Sequence, residues 1–132
     1  MSGNSEYLST YMANWIRGTD LPTAPVTLYL GLATAAVTGL TAPTEPAAGS
    51  YAREVIAFTV PSFTDVDGAQ ISSTADIVFT TATADWGLIT HGFISDAVSG
   101  GNVLEKWVWP VSKQIDTNDT YVAATGDVSL AF

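Results

Sequence analysis

Six runs of β-branched, aliphatic and aromatic residues, separated by glycine, proline, asparagine and aspartate, set the tightest limit on what this chain folds into. They cover 26–34, 51–60, 71–81, 86–95, 103–115 and 121–132. Successive side chains of a strand point to opposite faces, so Leu28, Leu30 and Leu32 share one face of the first run. Ile71, Ala75, Ile77 and Phe79 share one face of the third across a polar interruption. Between runs lie Asp65-Val-Asp67-Gly68, Ser99-Gly-Gly-Asn102 and Asp116-Thr-Asn-Asp119, all with turn chemistry. Short strands at this spacing predict a mainly β protein, an antiparallel β-sandwich or a jelly-roll-like barrel.

One segment breaks the pattern. From Ser5 to Arg17, the residues Tyr7, Leu8, Tyr11, Met12, Trp15 and Ile16 recur at the spacings of one face of an amphipathic helix. Ser2 or Asn4 offers a cap, Glu6 suits the positive end of the helix dipole, and Arg17-Gly18 supplies a stop. Thr19-Asp-Leu-Pro-Thr-Ala-Pro25 must then run extended, because proline fixes its own φ and disfavours helix in the residue before it. The expected organisation is a helical arm over residues 1–20 and a β-sandwich over 21–132. Together they form a single domain, since 132 residues supply one useful core. Ala35 to Ser50, small and turn-rich, is a long connection of the kind that makes a contact loop or an assembly-ordered arm.

Charge narrows the function. Thirteen acids stand against four bases, Arg17, Arg53, Lys106 and Lys113, for a net charge of −9. Nucleic-acid binding needs clustered cations, so no nucleic-acid partner is expected. Without cysteine there is neither a disulfide framework nor a thiolate metal site. No basic region precedes an apolar run at the start, and no stretch approaches the roughly twenty apolar residues of a membrane helix. The reading is a soluble chain with no membrane partner.

Catalytic equipment is sparse. The single histidine, His91, sits inside a strand run and reads as a packed or hydrogen-bonded residue. Ala97-Val-Ser99-Gly-Gly101 lacks the leading glycine of a nucleophile elbow and lies between strands, so it reads as a hairpin turn. Asp65-x-Asp67-Gly68 fails the spacing of a calcium loop and reads as a turn. No catalytic residue, metal ligand or cofactor is assigned, and the chain is expected not to be an enzyme.

The remaining candidates are aromatic and structural. Trp107 and Trp109 fall on one side of their strand, either as half of a core or as anchors for a sugar ring or a protein partner. Pro110 confines that strand to an edge or a bulge, and an edge with large aromatics is where another subunit would add. With Tyr7, Tyr11 and Trp15 of the helix they make the candidate interface set. Arg53 reads either as one half of a bidentate pair with Asp76 or Asp85 that fixes strand order or as an ordinary exposed base, and Trp86-Gly87 is expected to pack a core corner where the glycine lets another backbone approach closely.

Leu28-Tyr-Leu-Gly-Leu-Ala-Thr34, Ser50-Tyr-Ala-Arg53 with Val55 and Phe58, Ala75-Asp-Ile-Val-Phe79, Thr83-Ala-Asp-Trp86-Gly87 with Ile89 and His91, and Gly100-Gly-Asn102 before Leu104 form an ordered series. Over residues 26 to 104 this series resembles a family of short virion proteins of tailed bacteriophages, variously tail-fibre-like, head-decoration or capsid cement proteins. Tyr-Ala-Arg and Ala-Asp-Trp-Gly carry most of the specificity, and Trp107 and Trp109 lie outside the shared pattern. The resemblance implies a β-sandwich that assembles as a homo-oligomer, a dimer or trimer, on a virion. The leading expectation is a capsid cement or decoration protein, on the outer surface of the head, that binds the major capsid protein or other virion proteins. The alternative is a tail-fibre or receptor-binding knob that contacts the host surface. A third class, a sugar hydrolase, needs a carboxylate pair in a cleft, which the sequence does not identify.

Overall fold

The computed structural model describes residues 2–39, 41–64 and 68–132. In chain order its elements are β1 (Ser2–Asn4), α1 (Glu6–Ile16), β2 (Leu28–Ala33), β3 (Glu54–Ile56), β4 (Ser62–Thr64), β5 (Gly68–Ser72), β6 (Ile77–Val78), β7 (Gly87–Ser95), β8 (Val103–Ile115), β9 (Val122–Ala123) and β10 (Ser129–Ala131). A five-stranded sheet runs in the order β1-β8-β7-β2-β3, beside a three-stranded sheet β10-β5-β4 and a two-stranded sheet β6-β9. Each pairing is antiparallel. The result is sandwich-like and not a closed barrel, because the sheets end on separate edge strands.

Alternation decides which residues go inward. Leu30 pairs with Ile94, and Ile94 with Glu105, so these positions share one face of the large sheet. That face joins Leu30, Leu32, Ile94, Trp107 and Trp109 to Phe79, Trp86, Tyr121, Val128 and Leu130 in a single core drawn from all three sheets. The opposite face carries a smaller cluster of Ala33, Phe93, Val103 and Val37. Val37 belongs to the segment 35–50, which folds down over this face. Thr34 N–H donates to the Thr44 carbonyl, Thr83 N–H to the Gly49 carbonyl, and Trp86 Nε1–H to the same Gly49 oxygen. The expected contact arm is thus fastened to its own domain as a cover.

Three boundaries differ from the sequence pattern. The run 71–81 is two strands in different sheets: the chain leaves β5 at Ser72, where Ser73 N–H turns to the Val128 carbonyl and Thr74 N–H to Ala57, before entering β6. The polar interruption in that run is the crossover between layers. The run 121–132 divides at the Ala124–Asp127 turn into β9 and β10, and β4 is a strand that the pattern does not mark. The helix is capped by Ser5 instead of Ser2 or Asn4, since those residues are held extended in β1. Asp65 and Asp67 lie outside the described residues.

Two close approaches tie the strands of the large sheet together. Gly31 pairs with Phe93 and Gly92 with Trp107, and each ring lies across the backbone of its glycine partner, on opposite faces of the sheet. A methyl at Gly31 would overlap the Phe93 ring, and one at Gly92 would come within 2.6 Å of the Trp107 indole. Gly31→Ala is therefore expected to lower stability by about 1–3 kcal/mol through overpacking, as measured by urea denaturation. A variant as stable as the parent would show that the ring has room to move.

Candidate functional site

The arm begins at a buried serine. Ser5 Oγ accepts a hydrogen bond from Leu8 N–H at 3.1 Å, capping α1, and donates one to the Val103 carbonyl. Its own N–H donates to the Leu104 carbonyl at 2.9 Å. A single residue so starts the helix and pins it to β8. The Glu6 carboxylate adds an ion pair with Lys106 at 3.5 Å. Beyond this first turn α1 buries no residue, and Arg17 ends it ahead of Gly18, whose φ is +98°. Tyr7 and Tyr11 meet edge-to-face at 4.9 Å and are half-buried beside Leu21-Pro22-Thr23-Ala24-Pro25. The tip stands clear, with Met12 36%, Trp15 61% and Ile16 80% exposed.

The five expected interface residues do not form one surface. Trp107 and Trp109 are buried, pack edge-to-face at 5.3 Å, and join Tyr121 in the core. This corrects their assignment as anchors: alternation on β8 turns both indoles inward and leaves Lys106 and Val108 outward. The outer edge of β8 beyond Trp107 is open, because β1 covers only Glu105–Trp107. That edge is poorly suited to receive another strand. Pro110 lacks an N–H, and the register slips between Ile89, paired with Lys113, and His91, paired with Val108. Proline, a bulge and a lysine are the devices by which edge strands resist unplanned pairing.

Arg53 has a different partner from either expected one. It is 5% exposed, and its Nε and Nη2 both donate at 2.9 Å to the two oxygens of Glu45. Nη1 donates to Ser95 Oγ at 3.0 Å and to the carbonyls of Ala97 and Gly100, each at 2.8 Å, while the guanidinium lies 5.0 Å from the centre of the Phe93 ring. One side chain thereby fastens the 35–50 cover and the 96–102 turn to the outer face of the sheet. Tyr51 O–H donates to the same Glu45 at 2.6 Å, and burial pushes its phenol well above the usual range. Asp76 and Asp85 instead hold turns. Asp76 takes the N–H and O–H of Thr125, which keeps its carboxyl below the ordinary value, and Asp85 takes those of Thr117. Trp86 is buried against Tyr51 and Phe79 as a core corner. Gly87 serves a different end from the close approach expected of it: its φ of +90° is the requirement, and the nearest atom to a Cβ there is 3.9 Å away.

The described residues thus form a β body, a fastened cover and one helix with an exposed apolar tip. A family model described as podophage GP4 fiber I protein gp80 matches residues 3–131. The chain belongs to this family. No curated protein matches it. The resemblance to short virion proteins of tailed phages drawn from Tyr51-Ala-Arg53 and Ala84-Asp-Trp86-Gly87 is thereby upheld. The match also runs through Trp107 and Trp109, which the recognised pattern left out. Members of the family are virion structural proteins of tailed phages.

Two residues at the β1–β8 junction are not among the candidates drawn from the sequence. Ser5 is one serine among several, and only its bond to β8 sets it apart. Glu105 carries a legible signal: it stands in step with the inward Trp107 and Trp109 on β8. Its side chain is 2% exposed, and neither carboxylate oxygen has a hydrogen-bond partner. Burial pushes the carboxyl up to about 7. The four cations are used locally. Besides the pairs of Arg53 and Lys106, Arg17 donates to Asn14 and Lys113 lies over the Tyr121 ring. The outward surface is left acidic.

Proposed function

We propose that the protein is a structural component of a phage fibre, in which the β-sandwich is the body and the tip of α1 is the attachment to a neighbouring virion protein. The observation that carries this reading is the exposed cluster Met12, Trp15 and Ile16 at the tip of a helix with no fully buried residue. Tryptophan on such a projection is the residue type that dominates interface energetics. The fibre role is favoured over capsid cement by the family's name. An acidic body supports docking on a cationic neighbour by steering the encounter.

Removing the whole arm is a poor test, because β1 is a strand of the main sheet and Ser5 fills a buried site. The double substitution Trp15→Ser, Ile16→Ser keeps both. Virions grown with this variant as the sole copy are expected to lose most of the protein, measured by mass spectrometry of purified particles, while the free protein keeps its thermal stability. Incorporation at the parental level would overturn the arm as the attachment.

A further inference from the structure

The arm is held over a short length, and a solitary carboxyl group sits at its point of attachment. Ser2, Gly3 and Asn4 pair with Trp107, Lys106 and Glu105, and Ser5 adds its bonds to Val103 and Leu104. Glu105 lies between β1 and β7, opposite Asn4 on one side and Ile94 on the other. Charged groups on the surrounding elements do not reach it. His91 of β7 is on the opposite face and its Nδ1 is bonded to Thr90 Oγ1, Glu6 of α1 and Lys106 pair with each other on that outer face, and β10, which packs beside β1, carries no charge. Lys113 stands over Tyr121 at the far end of β8.

We propose that Glu105 makes the arm a pH-responsive strap, closed on β8 while the carboxyl holds its proton and released when the ionised group draws water into the β1–β8 junction. The carboxyl stands on the inward face of the sheet, so water reaches it when β1, β7 or the layer over that face moves aside, and moving that layer would open the main core. Opening β7 would dismantle the ladder from Gly87 to Ser95 and the main core with it. Opening β1 costs the pairing of Ser2–Asn4, the two bonds of Ser5 to β8 and a helix with no buried side chain, and such short peripheral elements open at the lowest free energy. The carboxyl titrates near neutrality because burial raises it from its ordinary 4.5 to about 7. A group that binds its proton more tightly in the closed form favours the open form as pH rises between those two values, about tenfold per unit, with no further gain above the upper one. The strap stands on the geometry of the β1–β8 junction, wherever in the virion the protein sits.

Hydrogen exchange of the full chain, followed by NMR and corrected for the intrinsic rate, tests it. The Ser5 amide is the reporter, since it is bonded to the Leu104 carbonyl. Its opening constant is expected to rise roughly 70-fold from about pH 5 to about pH 8, while amides of the β2–β7 ladder keep their protection. Glu105→Gln should abolish this dependence, and Glu105→Leu does the same without a buried amide. Three results would each overturn the proposal: a Ser5 amide equally protected across the range, an unchanged pH dependence in both variants, or core amides that open in step with Ser5.

Discussion

Arg53→Ala is expected to destabilise the domain by about 3–5 kcal/mol, the range for removing one partner of a buried, hydrogen-bonded ion pair. The loss has a definite origin. Without the guanidinium, Glu45 keeps only Tyr51 as a partner, and Ser95 Oγ and the carbonyls of Ala97 and Gly100 lose their shared donor. Each polar group left buried and unpaired carries a desolvation cost. Arg53→Lys separates charge from geometry. A lysine restores the positive charge but lacks the planar fork that engages both Glu45 oxygens, so most of the loss should remain. Urea denaturation reads both variants as a lower midpoint at an unchanged slope. A loss below about 1 kcal/mol for the alanine variant would mean that the 35–50 cover holds through Val37 and its bonds to Thr34, Tyr51, Thr83 and Trp86 without the guanidinium.

The second large effect separates two tryptophans that the sequence treats alike. Trp107→Ala removes an indole packed against Trp109 and lying across Gly92, and should cost about 3–5 kcal/mol. Trp15→Ala removes a ring that its own domain does not cover, and should change stability by less than about 0.5 kcal/mol. Thermal unfolding of the two purified variants decides the matter. Equal losses would show that α1 is packed against the body, and the arm would then have no free face.

What could be read in advance follows the range of the interactions. The antiparallel β class, the helix and the full span of β8 are legible because alternation and the 3.6-residue period act within a few residues. The split of 71–81 was not legible, because Asp76 and Ser73 look like a polar blemish in one strand until their partners Thr125 and Val128 are known. The isolation of Arg53 among apolar neighbours leaves a fastener and an exposed base equally open, because its partner Glu45 belongs to the segment that reads as a contact loop. Trp107 and Trp109 show the limit most plainly. Their shared side was read correctly, but whether that side faced core or solvent depended on the sheet order β1-β8-β7-β2-β3 and on the layer that covers it. Family membership was within reach through Tyr-Ala-Arg and Ala-Asp-Trp-Gly, and both words sit at such fastening points: Tyr51 and Arg53 clasp Glu45, and Trp86 clasps Gly49.

The central claim, a fibre component attached through its helical arm, is tested most directly by gold labelling of intact virions with an antibody to the β-sandwich, viewed by electron microscopy. Gold confined to the fibres is the predicted result. Gold spread evenly over the head shell would contradict the fibre role and return the protein to the class of capsid decoration.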